Sequence, residues 1–155
     1  MGRQGDLERE LTNLLKGMDE GSYTSPSTAF PGQKVAMAFK SDGMLLKESR
    51  ALVLEVEVGQ THPDTNVGKY WPLLEMEADP LERLVLVHVI ASRRSNVSRL
   101  ALAQFYVDKM KQSFGDRFRY IRIPCDGQIL SHGEIQKEAE NTLAACFKEL
   151  FGAGS

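Results

Sequence analysis

The stretch Ala51-Leu-Val-Leu-Glu-Val-Glu-Val-Gly59 decides the fold that we expect for this chain. Its alternating pattern predicts a β-strand, because successive side chains of a strand point to opposite faces of the sheet. One face then carries only aliphatic side chains, and the other carries Val53, Glu55 and Glu57. Two neighbouring carboxylates are ordinary solvated charges if that face is open to water. If the flanking helical segments cover both faces, as we expect, the buried pair needs a cation nearby.

Length and composition indicate one compact domain over residues 1–155, because 155 residues with 42% hydrophobic content can bury a sizeable core. The formal net charge of −2 does not by itself indicate a nucleic-acid-binding protein. Basic residues are nevertheless concentrated in one segment, which is either a phosphate-facing surface or a solvated helix face. Its basic members are Arg93, Arg94, Arg99, Lys109, Lys111, Arg117, Arg119 and Arg122, against only Asp108 and Asp116.

Cysteine usage and hydropathy bear on the cellular compartment. Cys125 and Cys146 are predicted to be reduced thiols in or near the core of an intracellular protein. No stretch reaches the roughly 18 consecutive apolar residues of a membrane span, and no signal peptide is recognised before the first predicted helix. We therefore expect a cytoplasmic protein that has no membrane as its partner.

Hydrophobic periodicity and turn residues predict the remaining elements. In chain order they are helix 6–18, loop 20–33, strands 35–39, 44–47 and 51–59, helix 65–77, strand 84–90, a helix ending near 114, strand 118–123 and a helix that starts at the capping box Ser131-His-Gly-Glu134. Asp6 is the expected cap of the first helix, and Gly43 is expected at positive φ in a hairpin turn. Pro72 is expected to kink the helix over 65–77 or to split it in two.

The resulting order, α-β-β-β-α-β-α-β-α, combines a hairpin-rich first half with a βαβ second half. Such an order predicts an α/β fold in which helices flank a mixed central β-sheet. His88 lies inside a nearly all-apolar strand, and we assign it to the core rather than to a functional site.

This order of elements resembles the PD-(D/E)XK nuclease superfamily, whose fold is also called restriction-endonuclease-like. Asp42 at the second strand and the pair Glu55 and Glu57 in the third strand carry the resemblance. The first helix, Gly5-Asp-Leu-Glu-Arg-Glu-Leu11, is similar to the opening of archaeal Holliday-junction resolvases. The resemblance implies a metal-dependent endo- or exonuclease that hydrolyses DNA phosphodiester bonds.

Matched residue by residue, Glu8 falls on the helix glutamate of the resolvases, with Glu10 as a close competitor. Asp42 falls on the aspartate of the superfamily motif, and Glu55 falls on its first glutamate. Glu57 occupies the position at which the superfamily has its lysine. In the superfamily, this lysine is taken to activate the attacking water and to stabilise charge at the phosphate.

The resemblance implies Mg²⁺ or Mn²⁺ as the cofactor, since these hard cations take oxygen ligands and neutralise a scissile phosphate. Asp42, Glu55 and the backbone carbonyl of Val56 are the expected metal ligands. Glu57 would be a further ligand or a general base, and Glu8 would hold a water molecule at the metal.

Because position 57 is a glutamate, the site lacks the positive charge that the motif lysine would supply. Lys69, in Asn66-Val-Gly-Lys-Tyr-Trp71 on the following helix, is the candidate replacement. The alternative is a surface lysine whose stem covers Trp71. The sequence leaves both interpretations of Lys69 open.

Substrate contacts are expected from residues next to strand ends. Gln60 and His62 follow the central strand and would contact phosphate or the attacking water, unless they only structure the loop. Arg93 and Arg94 follow a buried strand and precede a helix N-terminus, which favours phosphate binding, unless they are a solvated pair. DNA, branched or damaged, is the expected partner, and a homodimer would suit cleavage of both strands.

Two other functions remain open at this stage. The chain could be a catalytically degraded module of nuclease fold that binds nucleic acid or protein without cutting, because Glu57 replaces the motif lysine. It could also be a domain of a larger restriction or repair protein that has no activity alone.

Overall fold

The structure is a computed structural model that describes residues 2–24, 40–58, 62–76, 80–91 and 97–152, with side chains from Asp6 onward. Helices and strands alternate along most of this length. The elements are α1 (Gly2–Met18), β1 (Tyr23–Thr24), β2 (Gly43–Lys47), β3 (Arg50–Glu57), α2 (Pro63–Gly68), α3 (Tyr70–Glu75), β4 (Arg83–Ile90), α4 (Val97–Phe114), β5 (Phe118–Ile123) and α5 (His132–Phe151), with 3-10 turns at Glu20–Ser22 and Gly115–Arg117.

The described strands form one sheet in the order β1-β2-β3-β4-β5. The pairs β1–β2 and β2–β3 are antiparallel, whereas β3, β4 and β5 run parallel to one another. Parallel neighbours need crossover segments, which α2 with α3 and then α4 provide. The predicted α/β class with a mixed, helix-flanked sheet is confirmed, and β3 is its central strand.

Each face of β3 contacts a different hydrophobic cluster, as the alternation predicts. Leu54 and Val56 lie in a cluster with buried residues of α1 and α5. Val53 lies in a second cluster with residues of α2, α3 and α4. Glu55 and Glu57 share the face of Val53, so both carboxylates lie beneath helices. They are only 1% and 3% exposed, and the solvated-face alternative is therefore wrong.

The helix predicted over 65–77 is split into α2 and α3, with Lys69 between them. Pro72 explains the position of the break, because a proline ring clashes with the carbonyl four residues earlier, here at Gly68. Gly68 is the last residue of α2. The break leaves Lys69 at the junction of two helices that both pack over the second face of β3.

The first helix begins earlier than predicted. α1 starts at Gly2, so Asp6 lies within the helix and does not cap it. The Asp6 carboxylate instead pairs with the Arg9 guanidinium at 2.5 Å. Residues three apart on a helix are neighbours on its surface. Asp6 therefore pairs with a side chain of its own helix, whereas a capping aspartate would accept from backbone N–H groups.

The predicted loop over 20–33 is wrong in its first part. Residues Glu20–Ser22 form a 3-10 turn, and Tyr23–Thr24 form β1. An aromatic and a β-branched residue are favourable in a strand, and the Thr24 hydroxyl also donates to the Met44 carbonyl at 3.2 Å. The predicted strand 35–39 and the rest of the loop lie outside the described residues.

The sequence predicted that Gly43 has positive φ in a hairpin turn, and this prediction is wrong. Gly43 lies in β2 opposite Leu54, and a Cβ at this position would come within 3.0 Å of Leu15 Cδ2 on α1. The glycine therefore allows α1 to approach the sheet closely. The polar residues Glu48-Ser49-Arg50 also predict a turn before β3, and this turn is confirmed: Glu48 and Ser49 lie between β2 and β3 with φ of 50° and 67°. Two residues at positive φ match the twist of the flanking strands.

The last strand and helix agree with the prediction. β5 spans Phe118–Ile123, as the sequence indicates. The capping box of α5 is complete, because the Ser131 hydroxyl accepts from the Glu134 N–H at 3.2 Å and the Glu134 carboxylate accepts from the Ser131 N–H at 3.1 Å. Ser131 and Glu134 are local signals of a helix N-terminus, which explains why the sequence alone predicted the start of α5.

The two cysteines differ in exposure. Cys146 is a buried free thiol on the core-facing side of α5, as predicted, whereas Cys125 is exposed. The core assignment of Cys125 is wrong, because it lies beyond the end of β5 in the turn that leads to α5. Across the part of the chain that the structure describes, none of the helices has the length and apolarity that crossing a bilayer requires.

Candidate functional site

The Glu55 side chain is buried in direct contact with Lys69. Its carboxylate oxygen Oε1 is 2.6 Å from Lys69 Nζ, and the Lys69 side chain is 8% exposed. The Tyr70 hydroxyl donates a hydrogen bond to the same oxygen. The surface-lysine interpretation of Lys69 is therefore wrong, since its ammonium is directed inward onto the central strand.

Among the residues that the structure describes, three partners hold the Lys69 ammonium. Besides the Glu55 carboxylate, Nζ donates to the backbone carbonyl of Lys40 at 2.7 Å and to Oδ1 of Asn66 at 3.0 Å. The backbone N–H of Lys69 also donates to the Thr65 carbonyl at 3.1 Å, which closes the last turn of α2. An ammonium group has three protons to donate, so these three acceptors satisfy it.

Glu57 accepts hydrogen bonds from protein groups on both sides. Its Oε1 is 3.0 Å from His88 Nε2, and the Asn66 side-chain amide also donates to Oε1. Burial raises the pKa of Glu57, but the bonds from His88, Asn66 and the backbone of His62 outweigh it and hold the pKa below its ordinary value. On its other side, His88 Nδ1 contacts the Tyr120 hydroxyl at 2.8 Å.

These contacts join into one continuous chain of side chains, which we call the polar network. It runs from α3 across β3 and β4 to β5, along the face that α2 and α3 cover. Its members, in order of contact, are Tyr70, Glu55, Lys69, Asn66, Glu57, His88 and Tyr120. A buried polar network of this kind specifies one arrangement of its members, because a lost partner in a low-dielectric interior is costly.

Asp42 lies where β2 begins, next to β3. Its Oδ2 accepts the backbone N–H of Val56 at 2.7 Å. Since Gly43 pairs with Leu54, the position of Asp42 is opposite Glu55. Partial burial, together with the charge and a hydrogen bond of Asp42, raises the pKa of Glu8 on α1.

The Glu55 carboxyl titrates far from its ordinary range. Burial is the main cause, and the nearby charge of Asp42 acts in the same direction, while Lys69 and the Tyr70 hydroxyl oppose it. Together they raise the pKa of Glu55 to about 8. Burial disfavours the ionised carboxylate unless a cation is close. The site therefore combines an acid that resists ionisation with a lysine aimed at it.

The residues present fit a hard cation only in part. Among the described residues, no three His, Cys, Asp or Glu side chains are arranged to hold a metal ion together. Asp42 and Glu55 supply two carboxylates, and the carbonyl of Val56 points to the same side of β3 as the N–H that Asp42 binds. Mg²⁺ is commonly held by one or two carboxylates, with water and substrate phosphate completing its shell. The donor set is compatible with that arrangement, and not with an all-protein cage.

The two candidate glutamates of α1 differ in their surroundings. Glu8 is partly buried and interacts with Asp42. Glu10 is exposed, and its carboxylate accepts a hydrogen bond from Gln136 on α5. Only Glu8 therefore faces the acidic residues of the candidate site, and the predicted order of preference between the two agrees with the geometry.

The predicted substrate-contacting residues are only partly described. His62 is exposed at the position that precedes α2, and its backbone N–H helps to stabilise the Glu57 carboxylate. Gln60, Arg93 and Arg94 lie outside the described residues, so their roles stay predictions. The structure thus brings Glu8, Asp42, Glu55 and Lys69 together and joins Glu57 to them through Asn66.

Sequence reasoning missed four members of the polar network: Asn66, Tyr70, His88 and Tyr120. Asn66 precedes Lys69 by three residues, a spacing that brings two helical side chains together, so this contact could have been predicted. His88 was assigned to the core, where it is 0% exposed, but a buried ring with two nitrogens needs partners. No local signal identifies Tyr70 or Tyr120, because both read as ordinary core aromatics.

Comparison of the chain with protein-family models, with curated proteins and with solved structures finds no match. The likeness to PD-(D/E)XK nucleases therefore stays a resemblance of particular residues and of element order. Any function has to be argued from the arrangement of Asp42, Glu55 and Lys69.

Proposed function

We propose that this chain is a cytoplasmic, metal-dependent nuclease of restriction-endonuclease-like fold that hydrolyses DNA phosphodiester bonds. The observation that carries the proposal is the contact between Lys69 Nζ and Glu55 Oε1 at 2.6 Å. Glu55 matches the motif carboxylate, and the motif lysine is absent at position 57. A lysine from the adjacent helix junction thus brings the required cation to the carboxylate that the resemblance singles out.

Asp42, Glu55 and the carbonyl of Val56 are the residues that would hold Mg²⁺ or Mn²⁺. Such an ion, when bound, supplies positive charge at the scissile phosphate and activates water. The remaining chemistry comes from the chain itself. Lys69 offers a preformed ammonium to the phosphate in a site with little water, where charges interact strongly. The Tyr70 hydroxyl orients the Glu55 carboxylate through its hydrogen bond.

DNA, branched or damaged, is the proposed substrate, and the support for it is local charge. The surface of α4 carries exposed Lys109 and Lys111. Arg119 on β5 is also exposed, but its guanidinium pairs with the Glu149 carboxylate at 2.5 Å. Basic groups of this kind attract the phosphate backbone without reading its sequence. A homodimer would present two sites to the two strands of a duplex.

A second candidate function is a module of nuclease fold that binds nucleic acid or protein without cutting. One observation favours it: the Lys69 ammonium already has three acceptors in Glu55, Lys40 and Asn66. A lysine held so completely has to leave one acceptor before it can donate to a phosphate. A domain of a larger restriction or repair protein would share either function.

The deciding experiment is cleavage of supercoiled plasmid and of a branched DNA with Mn²⁺, Mg²⁺ or chelator. The wild type is expected to cut in metal and not in chelator. Glu55→Gln keeps the size and the Tyr70 contact of this side chain but removes its charge, and it is expected not to cut. If the wild type cuts neither DNA with Mn²⁺ but binds DNA at moderate salt, as shown by slower migration of the DNA in a gel, the binding module is the correct function.

Metal binding should also be visible without any substrate. Millimolar Mn²⁺ is expected to raise the melting temperature of the wild type, because a cation relieves repulsion among Glu8, Asp42 and Glu55 and binds only the folded chain. At a metal concentration 100 times Kd, the gain in unfolding free energy is about 2.7 kcal/mol. Asp42→Asn should lose most of the shift, whereas Glu10→Gln should keep it. Equal shifts in all three proteins would mean that the metal binds elsewhere.

A further inference from the structure

Position 57 carries the residue that departs most from the motif, and its side chain is the centre of the polar network. Oε1 of Glu57 accepts from both the His88 ring and the Asn66 amide, and a backbone N–H of His62 adds a third bond. Glu57 is 3% exposed. Its carboxylate is therefore held in place by three donors of the protein, as expected of a group that orients its neighbours.

The Asn66 amide connects this carboxylate with Lys69. Its nitrogen Nδ2 donates to Glu57, and its oxygen Oδ1 accepts from Lys69 Nζ at 3.0 Å. An ammonium only donates and an ionised carboxylate only accepts, whereas an amide has one end of each kind. The amide can therefore join the two groups in a single orientation. The carboxylate at position 57 decides that orientation, because a donor there would turn the Asn66 NH₂ group towards Lys69.

We propose that Glu57 is a positioning residue that, through Asn66, holds the Lys69 ammonium against Glu55. The catalytic meaning of this inference rests on the proposed nuclease function, whereas the positioning itself does not. Glu57 and Lys69 then form one matched unit. When the lysine comes from the junction of α2 and α3 and not from position 57, position 57 has to carry a hydrogen-bond acceptor for the Asn66 amide.

The other side of Glu57 keeps the carboxylate in place. His88 is fully buried on β4 and reaches Glu57 with Nε2 and Tyr120 with Nδ1. With the ring proton on Nε2, Nδ1 accepts from the Tyr120 hydroxyl, so both nitrogens are satisfied. All bonds then run in one consistent direction, from Tyr120 through His88 to Glu57 and from Lys69 through Asn66 to Glu57. Outer partners of this kind fix the orientation of the groups that act on a substrate.

The test compares Glu57→Met, Glu57→Gln and Asn66→Ala with the wild type. Methionine has a similar length but accepts no strong hydrogen bond, whereas glutamine retains a carbonyl oxygen at the same reach. Asn66 is half-buried on α2, and alanine is compatible with a helix, so this variant removes the bridge and keeps the fold. Melting curves establish that each variant is folded.

The first measurement needs no activity. Lys69 is modified with an amine-reactive reagent at fixed pH, and the extent is read by mass spectrometry against the exposed Lys109 of the same sample. We expect Lys69 to react several-fold faster in Glu57→Met and Asn66→Ala than in the wild type, with Glu57→Gln in between. If Lys69 stays protected in folded Asn66→Ala, Glu55 and the Lys40 carbonyl hold it alone, and the proposal fails even if Glu57→Met does not fold.

The second measurement separates positioning from binding. A misplaced Lys69 should lower kcat about 10–100-fold and leave KM for DNA nearly unchanged, and Glu57→Gln should recover part of the loss. If folded Glu57→Met and Asn66→Ala cut DNA as fast as the wild type, no acceptor is needed at position 57 and the proposal is overturned. If the wild type cuts no DNA, the nuclease function fails, while the labelling of Lys69 still decides the positioning.

Discussion

Replacing Lys69 with Met is expected to lower kcat for DNA cleavage by about 10²–10³-fold, the usual loss when one preorganised group that stabilises developing charge is removed. Lys69 Nζ lies 2.6 Å from Glu55 Oε1 and is almost fully shielded from water. Its charge therefore acts at short range and through little solvent. Methionine keeps the length and apolar character of the stem and removes only the ammonium. Single-turnover cleavage of plasmid with saturating Mn²⁺ measures the loss.

The matched control for this experiment is Lys109→Met. Lys109 is exposed on α4, where its ammonium lies 5.6 Å from the centre of the Phe105 ring. Removing it eliminates one surface charge, which can weaken DNA binding but leaves the cleavage step intact. Cleavage by Lys69→Met at the rate of the wild type would show that Lys69 only neutralises Glu55. Equal losses in both variants would point to a general effect of charge on DNA binding.

The stability of the wild type is expected to fall as pH rises from about 4.5 to about 8, by at most about 1.4 kcal/mol per pH unit from Glu55. Burial raises the pKa of Glu55 in the folded protein to about 8, from 4.5 in a solvated carboxyl. Between these values the folded state binds more protons than the unfolded state, so the free energy of unfolding decreases with pH. Above pH 8 the contribution of Glu55 is constant.

Glu55→Gln isolates this contribution, because its side chain does not titrate. Unfolding free energies from denaturant titrations at pH 5, 6, 7 and 8 should fall more steeply for the wild type than for the variant. Glu8, whose pKa is also raised, contributes in the same direction to both proteins and cancels in the difference. Parallel curves would mean that Lys69 keeps Glu55 ionised throughout, with no raised pKa. Lys69→Met should extend the fall to higher pH, since it removes the charge that opposes the effect of burial and so raises the pKa of Glu55 further.

The fold was largely predictable because its signals are local. Alternation over the central strand assigned its two faces, and both assignments are confirmed by the two clusters that β3 contacts. Capping residues predicted the start of α5, and Pro72 predicted either a kink or a break in the helix after β3, of which the structure has the break. These signals depend on the period of a helix or strand and on the steric properties of single residues. They failed at Gly43, which does not form a turn but leaves room for α1 to pack closely on the sheet.

The candidate site was predictable only as a set of residue types. Glu8, Asp42, Glu55 and Lys69 were identified from the sequence, although the sequence could not say that Lys69 is buried against Glu55. Gln60, Arg93 and Arg94 stay predictions.

Tertiary structure alone decided the partners of Glu57. The parallel register of β3 and β4 brings His88 within 3.0 Å of Glu57, although the two residues are 31 positions apart in the chain. The packing of α2 over β3 supplies Asn66 from the same side as Lys69. The sequence determined which side chains face the covered side of the sheet, because that depends on a local period. Which of them share hydrogen bonds depends on strand register and helix docking, which are set by contacts between distant segments.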